Sequence, residues 1–218
     1  MKSSMMAVAV AVALAGCSTG DGNMFASRDK KVEYFRVFDI KTGAAGPEVA
    51  KAATEGINRN VANATMASPE AQVQEQPGRF KLSATAPGAA PGAVAATPTP
   101  VCEGASWTAK ANPRVNGGDN MNMIACLFPY KGGYHLDMYA VFSKKEGGWL
   151  EWPRRLTGRF MGTPEGWTDK AMNDVIRTIR ESTGAEVLLV EAKPEVVGTP
   201  WMEASGGVGG SGGAKTSK

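Results

Sequence analysis

The sequence predicts an α+β fold: an antiparallel meander sheet with two amphipathic helices packed on one face. Three observations point there. Tyr134, Leu136, Met138, Ala140 and Phe142 alternate with His135, Asp137, Tyr139 and Val141, the two-residue period of a strand with one core face. Trp167, Ala171, Met172, Val175, Ile176 and Ile179 recur at helical spacing. The element order is strand–helix–strand, a Pro-rich stretch, then meander, helix and strand, which suits a sheet carrying its helices on one side.

Along the chain, Val32 to Ile40 is rich in aromatic and β-branched residues and reads as a strand. Gly46-Pro47 opens a helix, with Pro47 in its first turn and Glu48 near the positive end of the dipole. Val49, Ala53, Ile57 and Val61 form its apolar stripe, and Gly56 weakens it. Turn-rich sequence around Ser68-Pro69 and Gln76-Pro77-Gly78 leads to a short strand at Arg79–Ser83. Residues 86–100 hold too many prolines for a ladder and little to bury, so they read as a linker or long surface loop. That stretch either divides two subdomains or is an insertion within one. The small core of the first half favours the insertion, giving one domain over 31–202.

Met121 to Phe128 is an apolar strand, and Lys131-Gly132-Gly133 turns it into the alternating strand. Trp149 to Trp152, with Leu156 to Met161, extends the meander. Thr168 is read as the N-cap of the second helix, with Asp169 beside it, and Thr183-Gly184 as its stop. Glu186 to Glu191 reads as a short buried strand ending before Pro194. The Gly-rich tail, 203–218, has nothing to pack and is expected to be disordered.

The N-terminus carries the sharpest signal. Lys2 precedes the apolar run Ala7 to Ala15, which is too short to span a bilayer as a helix, and Leu14-Ala15-Gly16-Cys17 closes it. This layout resembles the signal peptide and lipobox of bacterial lipoproteins. The resemblance covers about twenty residues and implies cleavage after residue 16, lipid on Cys17 and a flexible tether over 17–30. It further implies a protein held at a membrane on the periplasmic side. Ser18 stands where an aspartate would signal inner-membrane retention, so the outer membrane is favoured.

The formal charge of +3 at pH 7 is too small for a typical nucleic-acid binder, so no nucleic-acid partner is expected. With Cys17 lipidated, Cys102 and Cys126 remain as an even pair in an oxidising compartment, and a disulfide between them is expected. Two buried thiols, or one reactive thiol, are the competing readings. His135 and Asp137 share one strand face, opposite Leu136 and Met138. No His or Cys cluster completes a metal site around them, and a solvated or structural histidine is expected. Ser106 and Ser143 stand in no nucleophile–base pattern, so neither an enzyme, a metal nor a cofactor is expected. Trp149, Trp152, Arg154, Arg155 and Arg159 form a candidate ligand surface, because aromatic faces stack on sugars and arginines clamp phosphates. The bland reading makes the tryptophans core and the arginines a solvated face. The sequence therefore points to a non-enzymatic envelope lipoprotein acting through protein contacts with an envelope partner. A binding module for envelope glycan or anionic lipid headgroups is the alternative.

Overall fold

The computed structural model describes residues 28–83, 98–146 and 163–202. Cys17, most of the Pro-rich stretch, the Trp149–Arg159 surface, the Leu156–Met161 strand and the Gly-rich tail lie outside the described residues. Within them the elements are β1 (Arg28–Lys41), α1 (Gly46–Asn58), β2 (Thr65–Ala67), β3 (Lys81–Ser83), β4 (Thr99–Val101) and β5 (Trp107–Ala111). There follow β6 (Asp119–Tyr130), β7 (Gly133–Glu146), α2 (Pro164–Thr183) and β8 (Glu186–Lys193). Six strands form one antiparallel sheet in the order β2-β5-β6-β7-β1-β8, and β3 and β4 form a separate pair. The fold class is the one the sequence predicts. Strands from both sides of the Pro-rich stretch share the large sheet.

Alternation sorts the sheet into two faces. Phe38 and Ile40 of β1, Leu136 and Met138 of β7, Met123 and Leu127 of β6, and Trp107 of β5 all turn toward the helices and are buried. Val49, Ala53 and Ile57 of α1 meet them, as do Met172, Val175, Ile176 and Ile179 of α2. Each Val, Leu, Ile, Phe or Met side chain among them contributes about 1.5–3 kcal/mol on leaving water. The indole Nε1 of Trp107 donates to Thr54 Oγ1 at 3.1 Å, tying β5 to α1. The helices cross closely at Gly56. A Cβ there would lie 2.5 Å from Val175 Cα, so the residue that looks weak in the helix is what lets α2 approach.

The β6–β7 turn needs its glycine for two reasons. Gly133 has φ 136°, and a Cβ on it would meet the Ile40 carbonyl oxygen at 2.2 Å. The C-terminal end of α2 is closed by Gly184 in the left-handed conformation, as expected, with its N–H donating to Arg180 O at 2.9 Å.

The other end of α2 corrects the sequence reading. Its N-cap is Thr163, whose hydroxyl accepts from Gly166 N at 3.1 Å, and Pro164 fills the first turn. Thr168 lies inside the helix, buried, its hydroxyl donating to Pro164 O at 2.7 Å. A threonine beside an aspartate mimics a cap, but the hydroxyl here is spent on the preceding turn. β8 also differs from the buried strand expected. It is a sheet edge, and Leu188 and Val190 each keep 51% of their surface exposed. A bulge between β1 residues Val37 and Phe38 and β8 breaks the alternation there. β1 starts at Arg28, inside the stretch read as tether, and Thr99–Val101, read as the end of the linker, is β4. The short strand expected at Arg79–Ser83 is confined to Lys81–Ser83, and β2 and β5 join the sheet without having been anticipated.

Candidate functional site

The sheet face away from the helices is where polar chemistry collects. Residues 74–83 cross this outer face as a strap. At one end Gln74 is fixed to the β6–β7 turn, its N–H donating to Pro129 O at 3.3 Å and its carbonyl accepting from Lys131 N at 3.0 Å. At the other, β3 pairs with β4, and the Cys102–Cys126 disulfide ties the residue after β4 to the buried outer face of β6. Between these points Gly78 rides on the Phe128 ring, and Phe80 meets Phe35 and Tyr139 edge-on with centroids 6.3 and 5.8 Å apart.

Asp137 sits beneath this strap with 0% exposure. Its Oδ2 accepts the Phe80 N–H at 2.9 Å and a longer bond from Arg79 Nε at 3.3 Å, while its Oδ1 has no partner. Arg79 is shared, since its Nη2 donates to Glu191 of β8 at 2.8 Å. Burial pushes the Asp137 carboxyl up to about 6, the Phe80 N–H and Arg79 offsetting only part of that cost. Two positions along β7, His135 is 6% exposed and its Nδ1 has no partner. Burial lowers the His135 pKa, against the pull of Asp39, and its ring meets Tyr130 edge-on at 5.8 Å. Tyr130 in turn donates to Asp39 Oδ1 at 2.6 Å, and Lys41 closes the group by contacting Asp39 Oδ2 at 3.0 Å. Burial raises the pKa values of Tyr130 and Tyr139, and the hydrogen bond to Tyr130 raises that of Lys41. The shifts of the two tyrosines and Lys41 move them away from the deprotonated form a nucleophile or base would need, whereas that of His135 keeps its ring neutral.

A second feature is an open notch of about 570 Å³ where β8 ends beside β1. Lys30, Lys31, Lys144 and Lys193 line it together with Glu33 and Glu165. Lys30 and Lys144 are direct cross-strand partners, an arrangement of like charges that costs sheet stability. Lys144 reaches Glu165 at 2.8 Å, and Lys193 reaches Glu33 at 3.5 Å. Beside the notch Arg36 is buried, donating to Asp169 at 2.8 Å and to the carbonyls of Phe35 and Lys193 at 2.9 Å each.

Of the residues singled out from the sequence, Cys102 and Cys126 are joined, so the readings as free thiols are set aside. His135 and Asp137 share the outer face as the alternation requires; both are buried, and Asp137 bonds to the strap. Among the described residues no His, Cys, Asp and Glu cluster suited to a metal is present. No described helix is long and apolar enough to cross a membrane. Cys17, Trp149, Trp152, Arg154, Arg155 and Arg159 lie outside the described residues. Arg79 and the lysine notch were missed from sequence. The notch joins β1, β7 and β8, so its lysines have no common spacing, and Arg79 takes its meaning from an aspartate 58 positions away. No protein family, no curated protein and no solved structure matches this chain.

Proposed function

We propose that this chain is a bacterial lipoprotein, anchored through lipid on Cys17 at the periplasmic side of the outer membrane. In this reading it works without catalysis, as an accessory or assembly factor that contacts another envelope protein. The observation that carries the reading is the segment from Lys2 through the apolar run to Leu14-Ala15-Gly16-Cys17. Two or more acyl chains on one cysteine hold a protein stably to a bilayer, because each buried methylene adds about 0.8 kcal/mol. The expected disulfide is in place, and a half-buried cross-link of this kind belongs to oxidising compartments. In-cell crosslinking of the tagged, full-length protein should recover one stoichiometric envelope partner. Recovering none in repeated trials would count against the contact role.

A second reading, binding of anionic lipid headgroups, is favoured by the lysine notch. Arg28 stands eleven positions after Cys17, so an extended chain of about 3.5 Å per residue keeps the notch end within about 40 Å of the bilayer. A lysine near an anionic surface contributes about 1 kcal/mol to membrane attraction, an effect that salt screens. Protein beginning at Ser18 should sediment with anionic vesicles and lose that binding on joint Lys30→Glu and Lys31→Glu substitution. Equal binding to zwitterionic vesicles would remove this reading and leave the anchor untouched.

A further inference from the structure

We propose that the span Glu75–Phe80 is a proton-controlled closure over the outer face of the sheet, tightened by acid and loosened toward neutral pH. The span runs between two fixed points, Gln74 on the β6–β7 turn and Lys81 on β4. Between them the span holds the sheet through the Phe80 ring, the contact of Gly78 with Phe128, the bonds from Arg79 and the Phe80 N–H to one carboxylate, and two exposed ion pairs, Arg79 with Glu191 and Glu75 with Lys131 at 2.7 Å. That carboxylate, Asp137, is fully buried only while the span is closed over it.

The charges around Asp137 leave its negative form short of support. From the strap comes Arg79, which is 40% exposed at its side chain and shared with Glu191. From β8 comes Glu191 itself, a second negative charge. Val37 of β1 and Cys126 of β6 are the direct cross-strand neighbours and bring no charge. Further along the same face stand His135 and Tyr139 of β7, Asp39 and Glu33 of β1, and Tyr130 of β6. Asp137 Oδ1, with no partner in the closed form, meets water once the span lifts. The charged carboxylate therefore favours the open form and the protonated one the closed form.

The sign follows from linkage. Closed, the group titrates at about 6; open and solvated, it returns to the ordinary 3.8. Closing is then weakest above pH 6 and strengthens as pH falls, by about tenfold between pH 7.5 and pH 5. His135 acts in the opposite sense. Its buried ring resists charge, and taking a proton in acid would favour opening. Replacing it isolates the effect of Asp137.

Hydrogen exchange of the full chain, with the disulfide intact and intrinsic rates corrected for pH, reads the closure at the Phe80 amide. In His135→Gln protein its protection should rise about tenfold from pH 7.5 to pH 5, while amides of β6 hold constant. Adding Asp137→Asn should flatten the profile. Arg79→Gln, which leaves Asp137 in place, should move the rise to higher pH. Protection that stays flat or falls with acid in the His135→Gln protein would overturn the proposal, as would a rise that survives Asp137→Asn. If Asp137→Asn does not fold, an Arg79→Gln profile that does not move overturns it equally.

Discussion

Replacing Gly56 by alanine sets two well-understood effects against each other, and the structure decides between them. Helix propensity alone favours alanine over glycine in a helix interior by about 1 kcal/mol. Gly56, however, lies at the crossing of α1 and α2. A Cβ there would stand 2.5 Å from Val175 Cα, and 3.1 Å from both Asp174 O and Val175 N. Ordinary carbon–carbon contact is about 3.5–4.0 Å, so the helices must part by about 1 Å or more. The obstacle is backbone, which has no rotamer to change. Parting the helices also loosens Val49, Ala53 and Ile57 from Val175 and Ile176, and strains the Asn60–Asp174 bond of 3.0 Å. Overpacking of this kind costs about 1–3 kcal/mol, with backbone collisions at the upper end. The net expectation is a loss of about 2 kcal/mol. Urea unfolding should show it as a lower midpoint at unchanged slope, and thermal unfolding as a fall of about 4–8 °C. A Gly56→Ala protein that matched or exceeded the wild type would refute the helix crossing as described.

Two further expectations concern links between elements. Reducing the Cys102–Cys126 bond, whose partners are 24 positions apart, should lower stability by about 3.5 kcal/mol on the chain-entropy account, read by urea unfolding with and without reductant. A loss under about 1 kcal/mol would mean that the reduced chain stays ordered around the strap. Asp174 joins α1 to α2 through Asn60, Lys170 and Arg177, with the Arg177 bond at 2.6 Å and the Asn60 bond at 3.0 Å. Burial alone would raise its pKa, but those bonds outweigh it and hold the carboxyl below its ordinary value. Its contribution is therefore full above the ordinary 3.8 and is lost as pH falls through the lowered value. Asp174→Asn should cost about 1–3 kcal/mol at pH 7 and progressively less in strong acid. A constant difference across that range would show that the charge is not what holds the helices.

How far the fold was legible depended on the length and amplitude of each pattern. β7 and β6 were plain because large side chains alternate with polar ones or run without interruption, and α1 and α2 because their stripes repeat over several turns. β5 was harder. Trp107, Ala109 and Ala111 do alternate with Thr108 and Lys110, but alanines give little contrast over five residues. β2 is three residues long and held by its neighbour, so no local signal separates it from a turn. β8 looked buried because Val187 to Val190 is an apolar run. An edge strand with a bulge exposes half of such a run, and sequence periodicity does not report which strand ends a sheet. The outer-face site was legible in part. The shared face of His135 and Asp137 follows from period two, whereas the strap that buries Asp137 arrives from residues 74–83, and only the folded chain brings them together.

Intact mass spectrometry of the protein extracted from native membranes reads the lipid anchor on Cys17. A mass corresponding to a chain that begins at Cys17 and carries acyl groups is the expected result. A chain that begins elsewhere, or a Cys17 bearing no lipid, would contradict it and take the membrane out of the account.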